Sequence, residues 1–275
     1  MTSFTLPHEL HGEGAHKVFA VHGWFADRSA YAGVLPDLDR TEFTYALVDL
    51  RGYGHAKSAV GASTTAEATL DLVELAGRLG WERFSVVGHS MGRAVGQRLL
   101  AVAPHRLRRL VGVSPVPASG LDLPPEQWEM FADAARKPEN RRAVIDITTG
   151  GHRPAAWLDR MVARSLAVSD QKAFRAWLDS WAGEDFHTQV EGSPVPALAV
   201  TGALDPALSA DLLRRTWMTW YPRAELHEHT AAGLPHSRLR SSGGTPIPMD
   251  ETPLELIRVA EDFLRADGPA EGEQA

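Results

Sequence analysis

Gly88-His89-Ser90-Met91-Gly92 lies between a short apolar run, Phe84 to Val87, and a segment of helical character from Arg93 to Ala103. The spacing fits G-x-S-x-G, and a strand, a glycine-flanked serine and a helix in that order make a nucleophile elbow. The turn is so tight that the residues two before and two after the serine must be small, a condition glycine meets at least steric cost. A serine so placed stands at the end of a sheet. Its oxygen sits beside a helix N-terminus whose free N–H groups face any negative charge that develops there. The pentapeptide alone recurs by chance, and the flanking strand and helix signals turn it into a constraint on the fold.

The rest of the chain alternates in the same way. Strands are predicted over Lys17–His22, Thr44–Asp49, Phe84–Gly88, Arg109–Ser114, Ala197–Thr201 and Ala224–His229. Helices are predicted over Ala30–Leu38, Thr65–Leu79, Met91–Ala103, Ala207–Trp220 and Pro253–Leu264. Several strands are short and continuously apolar, as expected where both faces of a parallel sheet are covered. Leu72, Leu75, Ala76 and Leu79 recur at helical spacing and mark one apolar stripe. Residues 2–10 read as an added edge strand or hairpin. The fold class is therefore α/β, with a doubly wound, mostly parallel sheet.

Between residues 115 and 194 the alternation breaks. Helices are predicted there over Pro125–Ala135, Asn140–Thr148, Ala155–Ser165 and Asp170–Ala182, and the segment holds Trp128, Trp157, Trp177 and Trp181, four of the eight tryptophans. It reads as a helical cap (115–194) inserted into a core made of residues 1–114 and 195–266. The last residues, 267–275, are polar, contain Gly and Pro, and read as a disordered tail. The four cap tryptophans are candidate substrate-binding residues, although each taken singly reads better as ordinary core.

A hydrophobic content of 44 % supplies a large core for 275 residues, and the absence of cysteine excludes disulfides and thiolate metal sites. The net charge of −7 argues against nucleic acid as a partner. No apolar run approaches the roughly 18 residues that span a bilayer, and no basic segment followed by an apolar one opens the sequence. A cytoplasmic protein acting on a small molecule is expected, with no membrane partner and no metal; a homodimer is left open. Gly52 and Gly54 lack the spacing of a dinucleotide fingerprint, so no cofactor is expected either.

A serine hydroxyl is a weak nucleophile at neutral pH and needs a general base, usually histidine, which a carboxylate orients. The ordered series His22-Gly23-Trp24, Asp49-Leu50-Arg51-Gly52-Tyr53-Gly54-His55, Gly88–Gly92, Thr201-Gly202-Ala203-Leu204-Asp205 and Pro248-Met249-Asp250-Glu251-Thr252-Pro253 resembles the α/β-hydrolase superfamily, of the small kind with a helical cap. The resemblance covers nearly all of the chain outside the cap. It implies Ser90 as nucleophile, the N–H groups of Met91 and Trp24 as oxyanion hole, and Asp205 as the acid. Asp205 also precedes Pro206 and a helix, where it would serve as an N-cap. The reaction implied is hydrolysis of a carboxylic ester through an acyl-enzyme. The same superfamily also hosts elimination, cyclisation and acyl transfer, and a pocket of this kind can serve a ligand binder without turnover.

Two positions depart from the family pattern. The usual histidine, two residues before Pro-Met-Asp-Glu, is replaced by Pro246, and an inserted stretch runs from Leu234 to Ile247. His236, after the last strand, is the candidate base; His227 and His229 read as structural, and His22 and His89 as loop or pocket residues. A solvated His236, or a site that no histidine reaches, stays open. The second departure is Arg93, where the family carries a small residue. A cation in the first turn of a helix is unfavourable unless it finds an anion. Arg93 is therefore expected either to reach solvent or to pair with a carboxylate, that of a substrate or of a nearby Asp or Glu.

Overall fold

Parallel pairing of buried apolar strands organises the computed structural model, which describes residues 4–151, 153–203, 205, 207–229 and 253–266. The strands are β1 (His8–His11), β2 (His16–Val21), β3 (Phe43–Val48), β4 (Phe84–His89), β5 (Leu107–Val113), β6 (Ala197–Gly202) and β7 (Ala224–His229). They form one sheet in the order β1-β3-β2-β4-β5-β6-β7. Only β1 is antiparallel, pairing His8–His11 with β3, so the predicted N-terminal addition is an edge strand. Both β3 and β4 are buried at every position, which accounts for their largely apolar character.

The helices are α1 (Thr65–Arg78) and α2 (Met91–Val102), then α3 (Pro125–Asp133), α4 (Pro138–Thr148), α5 (Ala155–Val168), α6 (Gln171–Trp181) and α7 (His187–Val190) between β5 and β6. After β6 come α8 (Ala210–Arg215) and α9 (Trp217–Trp220), and α10 (Pro253–Arg265) follows β7. Alternate strand residues serve opposite faces. Phe19, Val21 and Val86 join α1 and α2 in one core cluster, while Val18, Ala20 and Val87 join α10 in the other. The sheet is thus doubly wound. Capping sets several boundaries: Thr64 accepts the Glu67 N–H at 3.2 Å, and Asp170 accepts those of Lys172 and Ala173 at 2.9 Å. Such a cap contributes about 1 kcal/mol.

Two predicted helices are corrected. Ala30–Leu38 is two 3-10 turns, Arg28–Tyr31 and Leu35–Asp37, because Gly33 weakens the helix and Pro36 lacks the N–H that would continue it. The Ala207–Trp220 helix begins only at Ala210 and breaks at Thr216 (φ −118°, ψ −83°). There the Thr216 hydroxyl donates to the Leu212 carbonyl at 2.8 Å, a local bond that competes with helix continuation.

The seat of α2 depends on one glycine above all. A Cβ at Gly92 would stand 2.3 Å from the Val21 carbonyl oxygen and 2.4 Å from that of His22. Gly92→Ala is expected to cost about 3 kcal/mol, because backbone cannot yield as a side chain can. Urea denaturation measures it; a loss within error of zero would mean that α2 does not pack against β2 in this way.

Candidate active site

The site forms where β2, β4, β5 and β6 end, at the carboxyl edge of the parallel sheet. Strand β4 stops at His89 and α2 starts at Met91, so Ser90 alone makes the turn. Its backbone takes φ 49° and ψ −115°, a left-handed conformation that costs a non-glycine residue about 1–3 kcal/mol. Neighbours hold it there: the Ser90 N–H donates to the Val113 carbonyl at 2.9 Å, and the Ser90 carbonyl accepts the Arg93 N–H at 3.2 Å. Met91 is the first residue of α2, so its N–H has no partner within the helix.

A cavity of about 170 Å³ opens over Ser90. Gly23, Trp24, His89, Ser114 and Asp205 border it from the sheet side. Leu121, Leu123, Met130, Phe131, Ile147 and Trp181, all from the segment between β5 and β6, supply an apolar roof. Trp24 is pinned between the two layers. Its indole N–H donates to the Phe174 carbonyl at 2.8 Å, and its ring stacks on Phe174 at 4.1 Å. The loop that carries the Trp24 N–H is thereby fixed against α6.

Asp205 borders the same cavity as Ser90. One oxygen, Oδ1, accepts the N–H groups of both Ala207 (3.0 Å) and Leu208 (2.8 Å). These two turn contacts thus fall on a single oxygen of the carboxylate. Burial raises its pKa, opposed by those two N–H groups and by the Ser114 hydroxyl. Ser114 is itself held at φ 43°.

His236 and Pro246 lie outside the described residues, as do the rest of the Leu234–Ile247 stretch, the Pro248–Thr252 motif and residues 267–275. His89 is the described histidine that borders the cavity. Burial lowers its pKa to about 4, with His22 adding to the effect. His22 braces the loops: its Nδ1 donates to the Gly23 carbonyl at 2.9 Å and its Nε2 accepts the Leu50 N–H at 3.2 Å. His227 turns instead toward α10, with Nε2 3.8 Å from Glu255.

Of the four candidate cap tryptophans, Trp181 reaches the cavity. Trp177 is fully buried and its indole N–H donates to the Arg51 carbonyl at 2.9 Å. Trp157 packs on a satellite cluster of Ile145, Leu158, Met161 and Val162, and Trp128 packs at the edge of the main core. None of these three lines the cavity. The roof residues Leu121, Leu123, Met130, Phe131 and Ile147 had no sequence signal of their own, because apolar side chains are spread throughout this segment.

Among the described residues, Arg93 meets neither solvent nor a carboxylate. It is fully buried, and its three guanidinium nitrogens have no hydrogen-bond partner among the described residues. The guanidinium sits 5.6 Å from the centre of the Trp217 ring, and burial lowers its pKa to about 9. It does not border the cavity. Among the described residues no cluster of His, Asp and Glu is arranged to hold a metal ion. No described helix is long and apolar enough to cross a membrane.

Residues 18–217 match the model of the family described as alpha/beta hydrolase fold. The chain belongs to the α/β-hydrolase family. Over 219 residues it is 28 % identical to a pimeloyl-(acyl-carrier protein) methyl ester esterase of Klebsiella pneumoniae, a match covering 75 % of this chain and 83 % of the relative. Its fold is similar to that of the enol-lactonase from Burkholderia xenovorans LB400, with a TM-score of 0.75, 23 % identity, and coverage of 94 % of this chain and 96 % of that one. The esterase EaEST from Exiguobacterium antarcticum is similar at a TM-score of 0.77 and 14 % identity, over 95 % of this chain and 96 % of that one.

Proposed function

We propose that this α/β-hydrolase cleaves a carboxylic ester of a small apolar substrate through an acyl-enzyme on Ser90. The observation that carries the reading is a strained serine beneath an apolar cavity that Asp205 also borders. Ser90 Oγ attacks the ester carbonyl carbon and gives up its proton to a histidine base. The carbonyl oxygen becomes negative and faces the N–H groups of Met91 and Trp24; losing one such donor typically lowers the rate on the order of 100-fold or more. Collapse of the intermediate expels the alcohol, which takes the proton, and water then releases the acid. His236 is the proposed base, with Asp205 orienting it.

The segment between β5 and β6 acts as the cap that selects substrate. No lysine or arginine borders the cavity among the described residues, which favours a neutral group there. An apolar cavity of about 150 Å³ takes up benzene, so a volume of this size suits a group of about six heavy atoms. The identity with an ester-cleaving relative supports the same reading. Pro246, at the family's histidine position, favours a second reading in which the pocket binds a ligand or runs a non-hydrolytic reaction.

A series of p-nitrophenyl esters from acetate to octanoate distinguishes the two. Turnover that is best for short and medium acyl chains, with fluorophosphonate labelling of Ser90, is expected. Absence of both turnover and labelling rejects the ester reading, and saturable ligand binding without product supports the second.

A further inference from the structure

The buried charge of Arg93 has a prepared place. Gly88 and Gly112 are register partners on β4 and β5. A Cβ on Gly88 would stand 2.5 Å from Arg93 Cα, and one on Gly112 would stand 2.9 Å from Arg93 Cγ and 2.7 Å from Trp217 Cη2. The Arg93 backbone thus packs on bare Gly88, and its stem crosses bare Gly112, directly behind the elbow. Its guanidinium ends near the ring of Trp217, and Trp217 in turn meets Tyr221 edge-on at 5.4 Å. A desolvated guanidinium without a counter-ion is costly, and the attraction of an aromatic ring recovers only part of that cost. An apolar side chain of similar volume is the cheaper occupant of such a place.

Arg93 shares the first turn of α2 with the N–H group assigned to the oxyanion, and its own N–H is bonded to the Ser90 carbonyl. We propose that Arg93 is a positioning residue for the reaction at Ser90, a buried positive charge whose field reinforces the N-terminus of α2 where the oxyanion forms. The inference rests on the ester-hydrolysis reading. Helix dipole and side-chain charge have the same sign at that end, so they add. Among the described residues no carboxylate pairs with the guanidinium to cancel its field. A unit charge about 10 Å from a developing anion, at an effective dielectric constant of about 20, changes the rate by about tenfold. The charge therefore lowers stability and raises rate, a trade found where function needs a costly group.

Arg93→Met and Arg93→Lys test this through the thermal midpoint, kcat and KM on a short ester, and the rate at which a fluorophosphonate labels Ser90. Arg93→Met is expected to melt higher than wild type, with kcat and labelling rate lowered about tenfold and KM unchanged. Arg93→Lys, which keeps the charge, is expected to recover most of the rate. Unchanged rates in Arg93→Met overturn the inference and leave the Ser90 reading standing. Equal losses in both variants assign the effect to shape, and a less stable Arg93→Met refutes the costly charge; either result overturns it. A wild-type protein that is not labelled removes the Ser90 reading, and this inference with it.

Discussion

Ser90→Ala is expected to lower kcat on a short p-nitrophenyl ester by about 10⁴–10⁶-fold and to abolish fluorophosphonate labelling, while leaving the fold intact. The separation of these two outcomes follows from the local geometry. The Ser90 side chain makes no capping hydrogen bond to α2, so its hydroxyl can be removed without exposing a helix N-terminus. Alanine meets the same steric cost as serine at φ 49°, so the strain is unchanged. The stability change is therefore expected to stay within about 0.5 kcal/mol, the range of substitutions that break no specific contact. Steady-state rates, checked against the equilibrium unfolding curve of the same preparation, decide it. A variant retaining more than a few per cent of wild-type turnover would remove Ser90 from the nucleophile's role. Loss of activity together with unfolding would instead make it a structural serine.

The elbow was legible because its demands are local. Gly88 is required by the close approach of the Arg93 backbone a few residues on, and Met91 must open the helix once Ser90 makes the turn; Gly92 also answers to the carbonyls of Val21 and His22, far off in sequence. The parallel strands were legible for a related reason, since burial on both faces leaves an unbroken apolar run with ends set by polar or turn residues. The roof of the cavity was not. Trp177 and Trp181 lie one turn apart on α6, yet one indole is bonded to the Arg51 carbonyl and the other borders the cavity. Only the packing of α6 on the rest of the molecule separates them.

Arg93 shows the same limit in electrostatic form. Its local environment, the positive end of a helix, predicts an anion or solvent. The niche that receives it is made by Gly112 on β5 and Trp217 before β7, neither of them near in sequence. At Ala30–Leu38 the apolar spacing suggested a helix, but Gly33 and Pro36 carried the decisive signal, and the chain makes two short turns.

Asp205→Asn is expected to leave stability within about 0.5 kcal/mol of wild type and to reduce kcat by about 10⁴-fold. Asparagine keeps one side-chain carbonyl oxygen, enough to accept the N–H groups of Ala207 and Leu208 that Asp205 Oδ1 now takes. It is also a good N-capping residue, so the turn after β6 survives. It brings no negative charge to the cavity wall, and so can neither fix the tautomer of a histidine base nor stabilise the imidazolium formed when Ser90 is deprotonated. Asp205→Ala loses both functions and is expected to cost about 1 kcal/mol of stability in addition. The pH profile adds a sign. Burial raises the Asp205 pKa, so activity on the acid side is expected to fall at a higher pH than an exposed aspartate would give, as protonation removes the orienting charge. Asp205→Asn, already neutral, is expected to lack that step. Should the asparagine variant keep a tenth or more of the wild-type rate, Asp205 is a turn residue alone, and the carboxylate that serves Ser90 has to be sought elsewhere.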